Sequence, residues 1–158
     1  MLIALTLSTV LAEPMAADAV NDQYQDVTFV IAGSEKSYSQ AVLKAASLSE
    51  KSGILYKTNG VNFDPKHKDD NGGLTYSKSE CESNNWGYPC YVSRGRWDDG
   101  LYITVEYSSA IQGFTPGLYV VIAASGQKDT MVPSLNTVKH FVSDAYMKTA
   151  SVYVGCMQ

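Results

Sequence analysis

The pattern of apolar and polar positions predicts a strand, a helix and a second strand in the first half of the chain. Residues 26–32 (DVTFVIA) are β-branched and aromatic, which is typical of a buried strand. Apolar residues then recur at helical spacing, between an N-cap at Ser37 and a terminating glycine at Gly53. We expect a second strand directly after this glycine, over 54–57 or 54–63.

The second half shows a similar order after a polar stretch, 64–73, which holds no apolar residue. The pattern there predicts a hairpin, a central strand, a helix and a final strand, at 91–95 with 101–108, at 118–124, at 130–143, and at 145–148 extending into 152–154. Both halves therefore contain a strand, a turn of small residues, a helix and a strand.

Two such βαβ units predict an α+β fold of the ferredoxin-like kind. We expect an antiparallel sheet with two helices on one face and the other face open. The hairpin would be an insertion beside this sheet. The 158 residues suit one domain, which we place at 26–158, and 45% of them are hydrophobic.

The N-terminus predicts export. Residues 1–12 (MLIALTLSTVLA) match the apolar part of a signal peptide, with Val10 and Ala12 at the −3 and −1 positions of a cleavage site. The run is too short to span a bilayer, so we predict no transmembrane span. No Lys or Arg precedes it, and the alternative is an apolar N-terminus packed on the core. Export would leave residues 13–25 as a flexible leader and the protein periplasmic or secreted.

The three cysteines fit an oxidising compartment. Cys81 and Cys90 flank a polar, turn-rich loop (ESNNWGYP), and we predict a disulfide between them. Cys156 is left over, either as a buried thiol or as a competitor for one of the other two. Neither the cysteine spacing nor the histidines, His67 and His140, suits zinc, and we predict no metal and no cofactor.

Composition and motifs argue against two function classes. A net charge of −4 and a pI near 5.0 exclude a typical nucleic-acid-binding protein, which needs a basic surface to neutralise phosphates. No Ser or Cys has a histidine and a carboxylate in a pattern that suggests an activated nucleophile. We therefore predict no catalytic residues.

The segment around the second cysteine points to binding. It concentrates aromatic rings and both guanidinium groups of the chain, which suit the flat faces of sugars and the carboxylates of a ligand. Our candidate ligand-binding residues there are Trp86, Tyr88, Tyr91, Arg94, Arg96 and Trp97. Two other interpretations stay open: a small core built on Trp86 and Trp97, and a protein interface.

The chain also resembles the SPOR (sporulation-related repeat) family. The resemblance is clearest over residues 116–148, where PGLYVVIAAS is followed by a helical pattern and then by DAYMK. It implies an exported α+β domain whose sheet binds peptidoglycan glycan strands stripped of their peptides. Tyr119 lies in this segment and joins the candidate ligand-binding residues. The turn aromatic of the family is absent here, and the segment with the two paired cysteines is an insertion.

These observations favour a non-catalytic cell-envelope protein that binds peptidoglycan glycan or a cell-wall-associated protein. The sheet face and the aromatic insertion would form its site. The alternative is a secreted inhibitor or immunity-type protein, whose disulfide-closed loop would enter the active site of a partner.

Overall fold

The structure is a computed structural model that describes residues 23–155. Its strands and helices are, in chain order, β1 (Tyr24–Glu35), α1 (Tyr38–Ser52), β2 (Asn62–Phe63), β3 (Leu74–Thr75), α2 (Lys78–Ser83), β4 (Gly100–Tyr107), β5 (Tyr119–Gly126), α3 (Lys128–Lys139) and β6 (Tyr146–Tyr153). The predicted signal peptide, most of the predicted leader and Cys156 lie outside the described residues. β1 begins two residues before its predicted start.

Four strands form one antiparallel sheet in the order β4-β5-β1-β6, so the predicted α+β class is confirmed. β1 and β5 are the two central strands. Both are buried on both faces, over 27–32 and throughout Tyr119–Gly126, because each is a mainly apolar run without alternation. β2 and β3 form a separate two-stranded pair.

Helix α1 has the predicted ends. The Ser37 hydroxyl accepts a hydrogen bond from the Gln40 backbone N–H at 3.3 Å, which satisfies a donor that the helix itself leaves free. At the other end Gly53 adopts a φ of 73°, a left-handed conformation that favours glycine, and its N–H donates to Ser49 O. Helix α3 begins and ends earlier than the pattern predicts, which puts Pro133 in its second turn.

Both long helices pack on the same face of the sheet. Ala41, Ala45 and Leu48 of α1 and Met131 and Val138 of α3 share one core cluster with inward residues of the sheet. The prediction of two helices on one face is therefore correct.

The opposite face is not open, and that prediction is wrong. Phe29, Ile31 and Ile122 lie on it and are fully buried. Ile111 and Phe114, from the connection between β4 and β5, cover one part, with the Phe114 ring 5.8 Å from that of Phe29. The segment 91–99 covers another part. The side chains of Phe29, Ile31 and Ile122 explain why this face is covered, because leaving them in water would cost several kcal/mol.

The predicted hairpin is also wrong, because β4 pairs with β5 and not with residues 91–95. β5 offers β4 a fully buried and mainly apolar neighbour, whereas 91–95 (YVSRG) has few apolar residues to share. Residues 91–95 instead cross the sheet face in an irregular conformation. Gly95 shows how closely they approach: a Cβ there would lie 2.6 Å from the Phe29 ring, and its φ of 99° also favours glycine.

The predicted strand after α1 exists only as a short extended segment. Residues 54–57 run parallel to β4 through one bridge, in which Ile103 N–H donates to Leu55 O at 2.8 Å and Lys57 N–H donates to Ile103 O at 2.9 Å. A turn at 58–61 then interrupts the chain before β2. The segment consequently lies along the β4 edge of the sheet.

Candidate functional site

The disulfide fixes one wall of the candidate site. Cys81 and Cys90 are bonded, as predicted, with their Cα atoms 5.8 Å apart. Trp86 N–H donates to Cys81 O at 2.8 Å, and Tyr76 N–H donates to Cys90 O at 2.9 Å. Closing a loop of this length contributes roughly 2–3 kcal/mol on loop-entropy grounds. The disulfide therefore holds the Trp86 loop beside the segment that follows Cys90.

Arg94 attaches that following segment to the sheet. Its guanidinium donates to Ser125 Oγ at 2.8 Å, to Gly100 O at 2.7 Å, and to Tyr102 O and Ile122 O at 2.5 and 3.2 Å. The β4–β5 register is irregular at this point, so these N–H groups replace donors that a regular ladder would supply. Arg94 is only 2% exposed. This geometry gives Arg94 a structural role and keeps its guanidinium from a ligand in the groove.

Glu106 lies beneath the same segment and is buried. The Tyr91 hydroxyl and the Arg94 backbone N–H, at 3.2 Å, both donate to its Oε2 atom. Burial raises the pKa of Glu106 from its ordinary 4.5, while hydrogen bonds from Tyr91 and Thr104 and the nearby Arg94 charge lower it in part. Burial, together with the Glu106 charge, also raises the pKa of Tyr91.

We expect Glu106→Gln to change how stability depends on pH. Because the folded-state pKa of Glu106 is higher than 4.5, ionisation disfavours the folded state, and stability is lost as pH rises from about 4.5 through that folded pKa. The variant lacks this loss. Its free energy of unfolding minus that of the wild type should therefore increase with pH, as measured by urea denaturation at several values between pH 4 and 7. A difference that stays constant or falls would contradict the assigned direction of the pKa shift.

A groove of about 560 Å³ lies at the β4 edge, between the disulfide-closed Trp86 loop and the segment 91–99. Trp86, Tyr76 and Glu80 line it on the disulfide side, and Arg96, Trp97 and Asp99 on the side of the following segment. Tyr56, Lys57 and Asn59 come from the extended segment after α1, and Tyr102, Thr104 and Glu106 from β4. Tyr38 of α1 also lines it, so five separate stretches of chain meet at one groove.

Hydrogen bonds and ring contacts hold the β4 side of the groove in place. The ring of Tyr102 contacts two cations, with Arg94 Cζ 3.6 Å and Lys57 Nζ 4.6 Å from its centroid. Its hydroxyl donates to Asp98, whose other oxygen accepts from Gly95 N–H at 3.0 Å. Burial is the main cause that raises the pKa of Tyr102 and of Tyr56 to about 12. Both hydroxyls therefore stay protonated near neutral pH.

Trp97 is the open aromatic surface of this site. It is 63% exposed, and Arg96 covers one part of it, with Cζ 4.4 Å from the ring centroid. Trp86 is half-buried and packs at a tilt against Tyr76, 6.3 Å between centroids. A core made of Trp86 and Trp97 is therefore excluded, since Trp97 is mainly in solvent.

The structure brings only some of the predicted residues together. Trp86, Arg94, Arg96 and Trp97 line the groove. Tyr91 lies behind it with Glu106. Tyr88 is 38% exposed and packs edge-on against His67 outside the groove. Tyr119 is buried on the helix face, where its hydroxyl donates to Gly72 O at 2.5 Å.

Sequence reasoning missed the part of the groove that comes from residues 56–61 and from Tyr76 and Glu80. One signal was available: strict alternation in the β4 sequence places Tyr102, Thr104 and Glu106 on one face. A row of polar side chains on a buried strand indicates that something polar covers it. The pattern does not reveal which distant segments do so.

The described residues hold no group of three or more His, Cys, Asp or Glu side chains placed to bind a metal ion. Within the same residues, no helix has the length and apolar character needed to cross a membrane. Comparison with known protein families, curated proteins and solved structures gives no match. The groove presents flat aromatic faces, side-chain amides, hydroxyls and carboxylates around one recess.

Proposed function

We propose that this protein binds a glycan of the cell envelope, peptidoglycan glycan strands first of all, through the groove at the β4 edge. The observation that carries the proposal is the exposed Trp97 ring beside amide, hydroxyl and carboxylate groups in a groove of about 560 Å³. Sugars stack their C–H faces on such rings and give their hydroxyls to planar polar groups. A cell-wall-associated protein is the second partner that this chemistry suits.

The strand connectivity supports a ferredoxin-like, SPOR-like fold as part of this proposal. β1 and β4 are parallel with β5 between them, and β5 and β6 are parallel with β1 between them. Each pair is connected through a long helix, α1 or α3. In this interpretation 54–99 is one long insertion before β4. Because it covers the sheet face, we place the ligand in the groove that the insertion itself builds.

The Cys81–Cys90 disulfide supports an address outside the cytoplasm, in the periplasm or in the medium, because cytosolic thiols are kept reduced. The two partner types of the proposal also occur there. The predicted signal peptide agrees with this location.

Retention on cell walls tests the proposal. We expect the purified protein to cosediment with isolated sacculi, and retention to rise after an amidase has removed the stem peptides and exposed the glycan. Bovine serum albumin serves as the non-binding control. No retention on either form of sacculi would rule out peptidoglycan glycan as the ligand.

One observation favours the alternative of a secreted inhibitor. Residues 82–88 are exposed or half-exposed on a loop that the disulfide closes at both ends, with Tyr88 38% exposed. An exposed loop whose ends a disulfide joins suits insertion into a cleft. Inhibition of a cell-wall hydrolase without any retention on sacculi would support this function instead.

A further inference from the structure

Arg96 lines three cavities. They are the groove, a second cavity of about 280 Å³, and a third of about 190 Å³ that Asp26, Asp98 and Asp99 also line. Its guanidinium Cζ lies 4.4 Å from the Trp97 ring centroid and 4.9 Å from that of Tyr153, so two aromatic rings hold it. One N–H of Nη2 donates to Gly155 O. Its Nε is buried and has no hydrogen-bond partner among the described residues.

The second cavity lies on the side of the sheet away from the helices, beside the end of β6. Ser93, Gln112 and Ser151 contribute polar groups to it, and Ile111 and Val152 contribute apolar surface. Among residues 23–155, Arg96 is the one charged residue that lines it, and no Asp or Glu does. The groove and the third cavity, by contrast, are lined by carboxylates as well as by Arg96.

An unpaired buried guanidinium N–H is costly, since a lost hydrogen bond to a charged group is worth more than one between neutral groups. Because Arg96 lines the second cavity, an anion that enters it would give the guanidinium group a further acceptor. Carboxylates match the guanidinium fork, and hydroxyl and amide donors at Ser93, Ser151 and Gln112 can complete their hydrogen bonding. The apolar residues suit the carbon atoms that attach a carboxylate to a larger ligand.

We propose that Arg96 and the second cavity bind the carboxylate of an acidic sugar whose ring lies in the groove. This inference rests on the proposed glycan function and assigns its ligand class. The acidic sugar is either one with a carboxylate-bearing ether branch, as in stripped peptidoglycan, or a uronic acid. Both present one carboxylate next to a pyranose ring, and binding measurements separate them.

The first test compares stripped glycan strands before and after chemical reduction of their carboxylates to alcohols. We expect the wild type to bind the untreated strands about tenfold more tightly, a difference of about 1.4 kcal/mol. Hexagalacturonate serves as the uronic-acid probe. Arg96→Gln should remove the difference, and Arg96→Lys, which keeps the charge without the planar fork, should restore only part of it. Lys66→Gln removes the same charge at a residue that lines neither cavity and should leave the difference intact. Equal binding of treated and untreated strands by the wild type would overturn the inference.

A second measurement keeps the inference testable if no strand binds and the proposed function fails. In ¹H–¹⁵N spectra of the purified protein, the Arg96 Nε–H resonance should shift saturably with sodium glucuronate and stay unchanged with methyl glucoside. An unchanged resonance with both sugars would refute the carboxylate site itself. Arg96→Gln, checked for an unchanged thermal midpoint, assigns the signal.

Discussion

Replacing Arg94 with Met is expected to lower the free energy of unfolding by about 3–5 kcal/mol, the cost typical of removing one member of a buried charged network. The thermal midpoint should fall by roughly 10 °C or more for a domain of this size. Met is similar in length and fills most of the space, so the loss reports the hydrogen bonds and the charge rather than a large cavity. Urea denaturation monitored by circular dichroism measures this change in the free energy of unfolding.

The size of this effect follows from what Arg94 leaves behind. The carbonyls of Gly100, Tyr102 and Ile122 lose their donor, and a buried unpaired polar group costs about 1–3 kcal/mol. Glu106 also loses the cation that favours its ionised form. The double variant Arg94→Met/Glu106→Gln should therefore recover part of the lost stability.

Arg96→Met is the matched control for this prediction. It removes the same side chain two residues away, but Arg96 is only partly buried, and one backbone carbonyl accepts from it among the described residues. We expect it to cost less than about 1.5 kcal/mol. Equal losses for the two variants would show that Arg94 does not hold residues 91–99 on the sheet.

The two arginines also show how far the sequence predicts the site. Their spacing of two would place both on one side of an extended strand, and the sequence offered both as ligand-binding groups. Gly95 between them has a φ of 99° and lies against the Phe29 ring, so the alternation breaks there. The Arg94 guanidinium then enters the sheet irregularity, and Arg96 lines three cavities. No local pattern distinguishes these outcomes, because the contact with Phe29 spans more than sixty residues of chain.

The fold was more predictable where one segment determines its own state. The apolar run of β5 and the capped helix α1 carry their signals within about fifteen residues, and both are confirmed. Strand pairing depends on a competition between distant segments. β4 had two possible neighbours, and the mainly apolar β5 offers it more apolar surface to bury than residues 91–95 do. The packing of residues 91–99 and of Phe114 on the sheet face opposite the helices likewise depends on contacts between distant parts of the chain.

Trp97→Ala is expected to weaken binding to amidase-stripped glycan strands about ten- to a hundredfold while leaving the fold intact. An exposed ring that stacks on a ligand behaves as an interface hot spot, and its loss costs about 1.4–3 kcal/mol of binding free energy. The ring is 63% exposed, so the free energy of unfolding should change by less than about 1 kcal/mol, mainly through the lost Arg96 contact.

Two further variants decide what the Trp97 result means. Phe141→Ala truncates another exposed aromatic residue, 43% exposed, that lies outside the groove, and it should leave binding unchanged. Trp86→Phe keeps an aromatic ring in the half-buried position beside Tyr76 and leaves Trp97 as the one tryptophan of the chain. In that variant, ligand should shift the tryptophan emission to shorter wavelength, because stacking removes the ring from water. Binding without an emission change would place the glycan elsewhere on the protein, and Trp97→Ala would then have no effect on affinity.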